Sequence, residues 1–178
     1  MPPMPQSDES ALVVLVPEAE QLVAPFRRQL DRSAIRGMPA HITVLYPFRH
    51  PRELSNSLIE QLRSSLSRVP RFAFSLSGIC GFPGVIYLAP QPMEPFDILT
   101  REVAAWFSES PPYGGAFADP VPHLTVAQQP PAISLAEVTD QLLLAVGPLL
   151  PIQCHADQVT LAVKREGKWS VGPQFPLA

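Results

Sequence analysis

The sequence contains few of the residues that would identify several common classes of protein. Only two of its 178 residues are cysteines, Cys80 and Cys154, and they form no Cys-x-x-Cys pair, so no disulfide framework is indicated. No apolar run approaches the roughly 18 residues that a membrane-spanning helix needs. Residues 1–10 lack the basic residues and the apolar run of a signal peptide. We therefore expect a cytoplasmic protein that has no membrane partner.

Charge is also sparse in this chain. Charged residues make up 16% of the sequence, and the formal net charge is −3 at neutral pH. Non-specific binding to nucleic acid takes most of its affinity from Lys and Arg side chains that neutralise phosphates, so a long nucleic-acid tract is not an expected partner. A small nucleotide or an RNA end remains compatible with this charge. The hydrophobic content of 46% indicates one compact domain over residues 1–178, which we expect to be a monomer.

Apolar periodicity predicts the same order of elements twice: strand, helix, strand, helix, strand. The predicted elements of the first half are a strand at 11–16, a helix at 18–30 that Pro25 breaks or kinks, a strand at 41–46, a helix opened by Pro51 and carrying Leu54, Leu58, Leu62 and Leu66, and a strand at 72–77. Those of the second half are a strand at 85–89, a helix at 94–108, a strand at 123–127, a helix at 134–146 with a Ser134/Glu137 capping box, and strands at 151–155, 159–163 and 169–171.

This order predicts an α+β fold with two pseudo-symmetric lobes around a central cleft. The two halves are about 11–80 and 85–178, the glycine-rich stretch 77–84 connects them, and residues 1–10 are expected to be flexible. The strands at 41–46 and 123–127 would then lie side by side at the centre, with the helices packed outside.

A short motif occurs once in each half, and it uses two of the only four histidines. The two copies are His41-Ile42-Thr43-Val44 and His123-Leu124-Thr125-Val126. Alternate side chains of a strand point to opposite faces, so each His shares a face with its Thr. If the two strands face each other, two imidazoles and two hydroxyls surround a pocket about the size of a phosphate.

These residue types suit phosphoryl transfer. Threonine hydroxyls donate hydrogen bonds to phosphate oxygens, and imidazole titrates near neutral pH, so one ring can act as a base while the other acts as an acid. A metal site is an alternative, but neither motif has a carboxylate or cysteine at ligand spacing, and threonine is a poor zinc ligand. We predict no metal and no cofactor.

The paired motif resembles the two-histidine (2H) phosphoesterase superfamily, and within it the bacterial 2′-5′ RNA ligase-like and cyclic phosphodiesterase proteins. The resemblance covers most of the chain. It implies that His41 and His123 are the acid and base and that Thr43 and Thr125 bind phosphate. It also implies a substrate class, namely nucleotides or short RNA with 2′,3′-cyclic phosphate or 2′-5′ phosphodiester bonds.

Several other residues are candidate substrate contacts. Tyr46 and Phe48 follow the first motif, where an aromatic ring can stack on a base or pack against the protein. Arg36 and Lys168, together with Arg49 and Arg165, are candidates for binding a second phosphate. For the remaining histidines, His50 and His155, a surface or structural role is predicted.

Two other functions agree with the same residues. A binding module for nucleotides or RNA ends would use the threonines for affinity and tolerate loss of the histidines. A purely structural domain that kept both motifs from a duplication would have no affinity for phosphate.

Overall fold

The structure is a computed structural model that describes residues 7–117, 119–128 and 134–178. The described strands are β1 (Glu9–Leu15), β2 (His41–Leu45), β3 (Phe72–Phe82), β4 (Val85–Gln91), β5 (Leu124–Gln128), β6 (Ile152–Ala156), β7 (Gln158–Arg165) and β8 (Lys168–Pro176). The described α-helices are α1 (Pro17–Leu30), α2 (Arg32–Ile35), α3 (Asn56–Leu66), α4 (Glu94–Trp106) and α5 (Leu135–Ala145).

The strands form two four-stranded antiparallel sheets, in the orders β2-β1-β7-β8 and β5-β4-β3-β6. Each motif therefore lies on a strand at the edge of its sheet, and β2 contacts β5 across the gap between the sheets. This arrangement confirms the predicted α+β fold with two lobes around a central cleft. The sheets nevertheless exchange strands between the two halves, because β7 pairs with β1 and adds β8 to the first sheet, and β3 pairs with β4. The order of elements along the chain did not predict this exchange.

The continuous apolar run in β1 reflects burial of both of its faces. Leu12 and Val14 belong to the main core, which is shared by both sheets and the helices. Ala11 and Val13 point to the other face, where they form a smaller cluster with Met38. The smaller cluster supports the face of the sheet on which the first motif lies.

Two helix predictions need correction. Of the two outcomes predicted at Pro25, a break or a kink, the break is wrong, because α1 continues through this residue. Pro25 lies on the exposed face, where solvent can satisfy the carbonyl that its missing N–H leaves free. Pro51 opens only a short 3-10 turn, and α3 begins at Asn56 because the Ser55 hydroxyl accepts the Leu58 N–H at 3.2 Å. The capping box at the start of α5 is present as predicted.

The glycine-rich stretch 77–84 joins the halves as part of a hairpin, where the sequence predicts a loop. Strand β3 extends to Phe82, and only Pro83 and Gly84 form the turn to β4. Gly84 has a φ of 79°, a conformation that glycine adopts without steric cost. The result is a long hairpin that carries aromatic side chains toward the second motif. Strand β8 is likewise longer than the predicted 169–171.

Candidate active site

The structure brings the two motifs together. His41, Thr43, His123 and Thr125 all line one cavity of about 250 Å³. The first pair lies on β2, where His41 is opposite Leu15 of β1 and both polar side chains face away from the core. In the second motif His123 immediately precedes β5, on which Thr125 lies. The alternation of buried and half-buried residues in each motif therefore separates the core from the cavity.

The two histidines are oriented in the same way. His41 Nδ1 donates to the carbonyl of Pro39 at 2.8 Å, and His123 Nδ1 donates to the carbonyl of Val121 at 2.6 Å. A carbonyl can only accept, so each Nδ1 carries the hydrogen and each Nε2 is the free nitrogen of the neutral ring. Both rings thus offer the cavity an atom that can accept a proton.

Burial keeps both imidazoles neutral in the free protein. Desolvation is the main cause that lowers the pKa of His41 to about 4, the hydrogen bond to Pro39 opposes it, and the charges of Arg27 and His123 lower it further. Desolvation also lowers the pKa of His123, against the hydrogen bond to Val121. The two rings therefore affect each other, and a proton on one disfavours a proton on the other.

The lowered pKa of His41 has a consequence for stability. In an unfolded chain His41 titrates near 6.5, and in the folded chain at about 4, so between these values the unfolded state binds more protons. The free energy of unfolding is expected to fall by about 3 kcal/mol as the pH drops from roughly 6.5 to 4. Above this range His41 is neutral in both states, so it adds no further dependence on pH. Urea unfolding of wild type and His41→Gln across this pH range measures the change in free energy. His155→Gln, at an exposed position, is the control, and its free energy of unfolding should change with pH as in wild type. The same change with pH in His41→Gln as in wild type would contradict the lowered pKa of His41.

Aromatic side chains hold the second histidine. The ring of His123 lies 5.3 Å from the Phe82 ring and 5.5 Å from the Tyr87 ring, both edge to face, and these two rings stack on each other at 4.5 Å. Phe82 and Tyr87 come from the two arms of the β3–β4 hairpin. Phe82 lies in a stretch that its glycine-rich composition predicts as a loop, and Tyr87 lies on a predicted strand whose neighbours the sequence does not indicate.

A buried charge network supports the first histidine. Arg27, which is 1% exposed, donates to Asp31 at 3.0 Å and to the carbonyl of Met38 at 3.1 Å. The Glu20 carboxylate accepts the N–H of Ala40 at 2.5 Å. Both contacts fix the segment 38–40, whose Pro39 carbonyl orients the His41 ring. The sequence signal for this network is a charged pair with i, i+4 spacing, Arg27 and Asp31, at the end of α1.

The wall of the cavity contains two further tyrosine contacts. The Tyr113 N–H donates to the carbonyl of Tyr46 at 2.5 Å, and Tyr113 has a φ of 51°, an uncommon conformation for a residue other than glycine. Burial raises the pKa of Tyr113, and a hydrogen bond with Thr43 offsets part of this effect. Burial, with a hydrogen bond to Glu9, raises the pKa of Tyr46 to about 12. Both hydroxyls therefore keep their protons at neutral pH.

Lys164 also lines the cavity, although it is only 6% exposed. It forms an ion pair with Glu9, and its Nζ lies 5.6 Å from the centre of the Trp169 ring. Lys164 and Glu9 are opposite each other on β7 and β1. Their charges therefore compensate each other inside the site.

Only some of the predicted substrate contacts line the cavity. Tyr46 and Arg36 line the cavity. Phe48 does not: it is 4% exposed and packs against Phe107 at 5.2 Å, because β2 ends at Leu45 and the chain then turns into the core. Lys168 is exposed at the start of β8 and does not line the cavity. Of the four predicted contacts, Tyr46 and Arg36 are therefore the two that line the cavity.

Two of the remaining predictions concern metal ligands and membranes. Within the described residues, no three His, Cys, Asp or Glu side chains are grouped as a metal site would require. Among the helices in the described part of the chain, none combines the length and hydropathy of a bilayer-crossing segment.

Comparisons with known proteins agree with the fold. The family model described as the 2′-5′ RNA ligase superfamily matches residues 15–168. A Geobacillus kaustophilus protein, provisionally named a phosphoesterase, is 26% identical over 135 residues, which is 74% of this chain and 75% of that protein.

Solved structures with little sequence identity share the same architecture. Escherichia coli LigT, in its complex with NADP⁺, has a TM-score of 0.58 at 16% identity, with 97% of this chain and 99% of LigT covered. Thermus thermophilus TT0787 has a TM-score of 0.61 at 18% identity, with 94% and 97% covered. Since the family match spans both histidine motifs, the chain belongs to the 2′-5′ RNA ligase superfamily of 2H phosphoesterases.

Proposed function

We propose that this protein is a metal-independent phosphoesterase that acts on 2′,3′-cyclic phosphate or 2′-5′ phosphodiester bonds of nucleotides or short RNA. One observation carries the proposal: two histidines in the same tautomer and two threonines line a single cavity of about 250 Å³. The tautomer leaves both Nε2 atoms available for proton transfer. Such a set supplies an acid, a base and hydroxyl donors for a phosphate.

The residues divide the reaction between them. One neutral imidazole takes a proton from water as the water oxygen bonds to phosphorus. The other, protonated imidazole gives its proton to the ribose oxygen as the bond from that oxygen to phosphorus breaks. The hydroxyls of Thr43 and Thr125 donate to the non-bridging oxygens. When the 5′-hydroxyl of a second strand takes the place of water and the ribose 3′ oxygen is the leaving group, the same step forms a 2′-5′ phosphodiester bond, which is ligation.

Substrate binding creates the required protonation state. Burial lowers the pKa of both histidines in the free protein. A phosphodiester anion within a few ångströms of the rings favours the protonated imidazole and raises its pKa. Because His123 lowers the pKa of His41, repulsion opposes a second proton. The bound pair therefore holds one proton, which is the state that acid–base catalysis needs.

The relatives support a nucleotide as the substrate. E. coli LigT has been solved in complexes with 3′-AMP, ATP and NADP⁺. The acidic net charge of the present chain favours small nucleotides and RNA ends over long RNA.

The test is hydrolysis of adenosine 2′,3′-cyclic phosphate by wild-type protein in the presence of EDTA. We expect turnover that survives chelation and has a bell-shaped dependence on pH, from one group that must be neutral and one that must be protonated. Loss of turnover with EDTA and its recovery with added metal would contradict the proposal. Tight binding of the nucleotide without turnover, on both cyclic and 2′-5′-linked substrates, would identify a binding module instead.

A further inference from the structure

The cavity has two walls that differ in charge. The α2 wall comprises Arg32, Ser33 and Arg36. A second group of lining residues, here the β5 wall, comprises Tyr113, His123, Thr125 and Gln128 and carries no carboxylate, lysine or arginine. Apart from Lys164, which is paired with Glu9, Arg32 and Arg36 are the lysine or arginine side chains that line the cavity among the described residues.

The α2 wall is held rigidly. The Asp31 carboxylate caps the helix by accepting the Ser33 N–H at 2.9 Å, and Asp31 is itself fixed by the buried Arg27. At the other end, the carbonyl of Arg36 accepts the Trp169 N–H at 2.8 Å. A spacing of four residues puts Arg32 and Arg36 on the same side of a helical turn. Both side chains line the cavity.

Arg32 and Arg36 differ from the other cations of this region in having no ion-pair partner among the described residues. Lys164 is paired with Glu9, and Arg27 is paired with Asp31. Within the described residues, neither Arg32 nor Arg36 forms an ion pair. The cavity therefore contains two guanidinium groups in addition to the histidines and threonines that serve the reacting phosphate. Guanidinium groups suit phosphate because they donate two parallel hydrogen bonds.

The space next to the β5 wall is unsuitable for an anion. A pocket of about 600 Å³ adjoins the cavity and shares Tyr113, His123 and Gln128 with it. Phe82 and Phe117 contribute aromatic surface to this pocket, and Asp119 is the one charged side chain among the described residues that line it. A carboxylate repels phosphate, whereas aromatic surface suits an uncharged ring. Further negative charge on the substrate is therefore better placed at the α2 wall than in this pocket.

We infer that the α2 wall is a subsite for a second phosphate, and that the preferred substrates are nucleotides or short oligonucleotides with a phosphate besides the one that reacts. The inference rests on the proposed function and specifies its substrate class. The second phosphate is either a 5′-phosphate or the phosphodiester of a preceding nucleotide. Both present the same anionic oxygens to Arg32 and Arg36.

Three substrates separate these possibilities. They are adenosine 2′,3′-cyclic phosphate, the same nucleotide with a 5′-phosphate, and the dinucleotide ApA that ends in a 2′,3′-cyclic phosphate. The double variant Arg32→Met/Arg36→Met removes the subsite. Lys168→Met is the matched control, since Lys168 is an exposed cation near the cavity that does not line it.

Wild type should prefer one or both of the substrates that carry a second phosphate. For these the double variant is expected to lose at least about tenfold in kcat/KM, chiefly through KM, because the arginines contact a group that does not react. Activity on the simple cyclic nucleotide should change by no more than about twofold, as binding at a separate subsite adds independently. The single variant Arg36→Lys keeps the charge and should lose less kcat/KM than the double variant. Lys168→Met should behave as wild type. The substrate that shows the loss identifies the source of the phosphate.

The outcomes distinguish this inference from the proposed function. An equal loss on all three substrates, or no preference by wild type, would overturn the subsite while leaving the phosphoesterase proposal intact. If wild type turns over neither these three substrates nor a 2′-5′-linked dinucleotide, the phosphoesterase proposal fails. Calorimetric titration with adenosine 3′,5′-bisphosphate and with 3′-AMP then tests the subsite directly, because only the bisphosphate should bind less tightly to the double variant.

Discussion

Replacing His41 or His123 with alanine is expected to lower kcat on a 2′,3′-cyclic nucleotide by about a hundredfold to ten-thousandfold. Each ring makes one proton transfer, and nothing else described in the cavity offers the same atom with the same pKa. The double variant should be little worse than either single variant, because an acid and a base that act in one step do not contribute independently. Initial rates measured with EDTA present, for the two single variants and the double variant, give both results.

The control for this prediction is His155→Ala. His155 is exposed on β6 and does not line the cavity, so its loss should leave kcat unchanged. Thermal unfolding shows whether each variant is folded at the assay temperature. A folded His41→Ala or His123→Ala protein that keeps more than about a tenth of wild-type kcat would exclude that ring from the proton transfers.

The sequence was sufficient to predict the centre of the site. Alternation of side chains along a strand indicated that His41 and Thr43 share a face, and that His123 and Thr125 share another. Repetition of the motif indicated that the two faces meet. Both steps depend on local pattern and on symmetry, and neither requires knowledge of which strands are neighbours. The roles of these four residues in catalysis stay a prediction.

The surroundings of the site could not be predicted because they depend on contacts between distant parts of the chain. Lys164 and Glu9 are 155 residues apart and meet only because β7 inserts beside β1. Nothing in the local pattern of β7 indicates that its partner comes from the start of the chain. Tyr113 reaches the cavity through an irregular turn with positive φ, which a search for periodic elements passes over.

Phe48 shows a different limit. It lies two residues after Tyr46, so a continued strand would place both rings on the same face. The strand stops at Leu45, and Phe48 turns into the core against Phe107 while Tyr46 remains at the cavity. The composition of the segment is compatible with both outcomes, and only the packing of the following residues decides between them.

Replacing Arg27 with methionine is expected to lower the free energy of unfolding by about 3–5 kcal/mol, because Asp31 would keep a buried negative charge without its partner. Asp31 is 0% exposed, and Arg27 is 1% exposed. Urea unfolding measures the loss, and Arg28→Met, at an exposed position of the same helix, is the matched control that should unfold like wild type.

The double variant Arg27→Met/Asp31→Asn separates the cost of the unpaired charge from the loss of support for the site. It buries no charge, keeps an amide oxygen that can accept the Ser33 N–H at the start of α2, and should recover most of the stability. It still lacks the donor to the Met38 carbonyl, so the segment before His41 loses one of its anchors. We therefore expect kcat to stay reduced in a protein of near wild-type stability, with KM little changed. Full recovery of kcat along with stability would mean that the network supports only the fold. A reduced kcat at restored stability would mean that the buried arginine also positions the His41 ring, although it touches neither the ring nor the substrate.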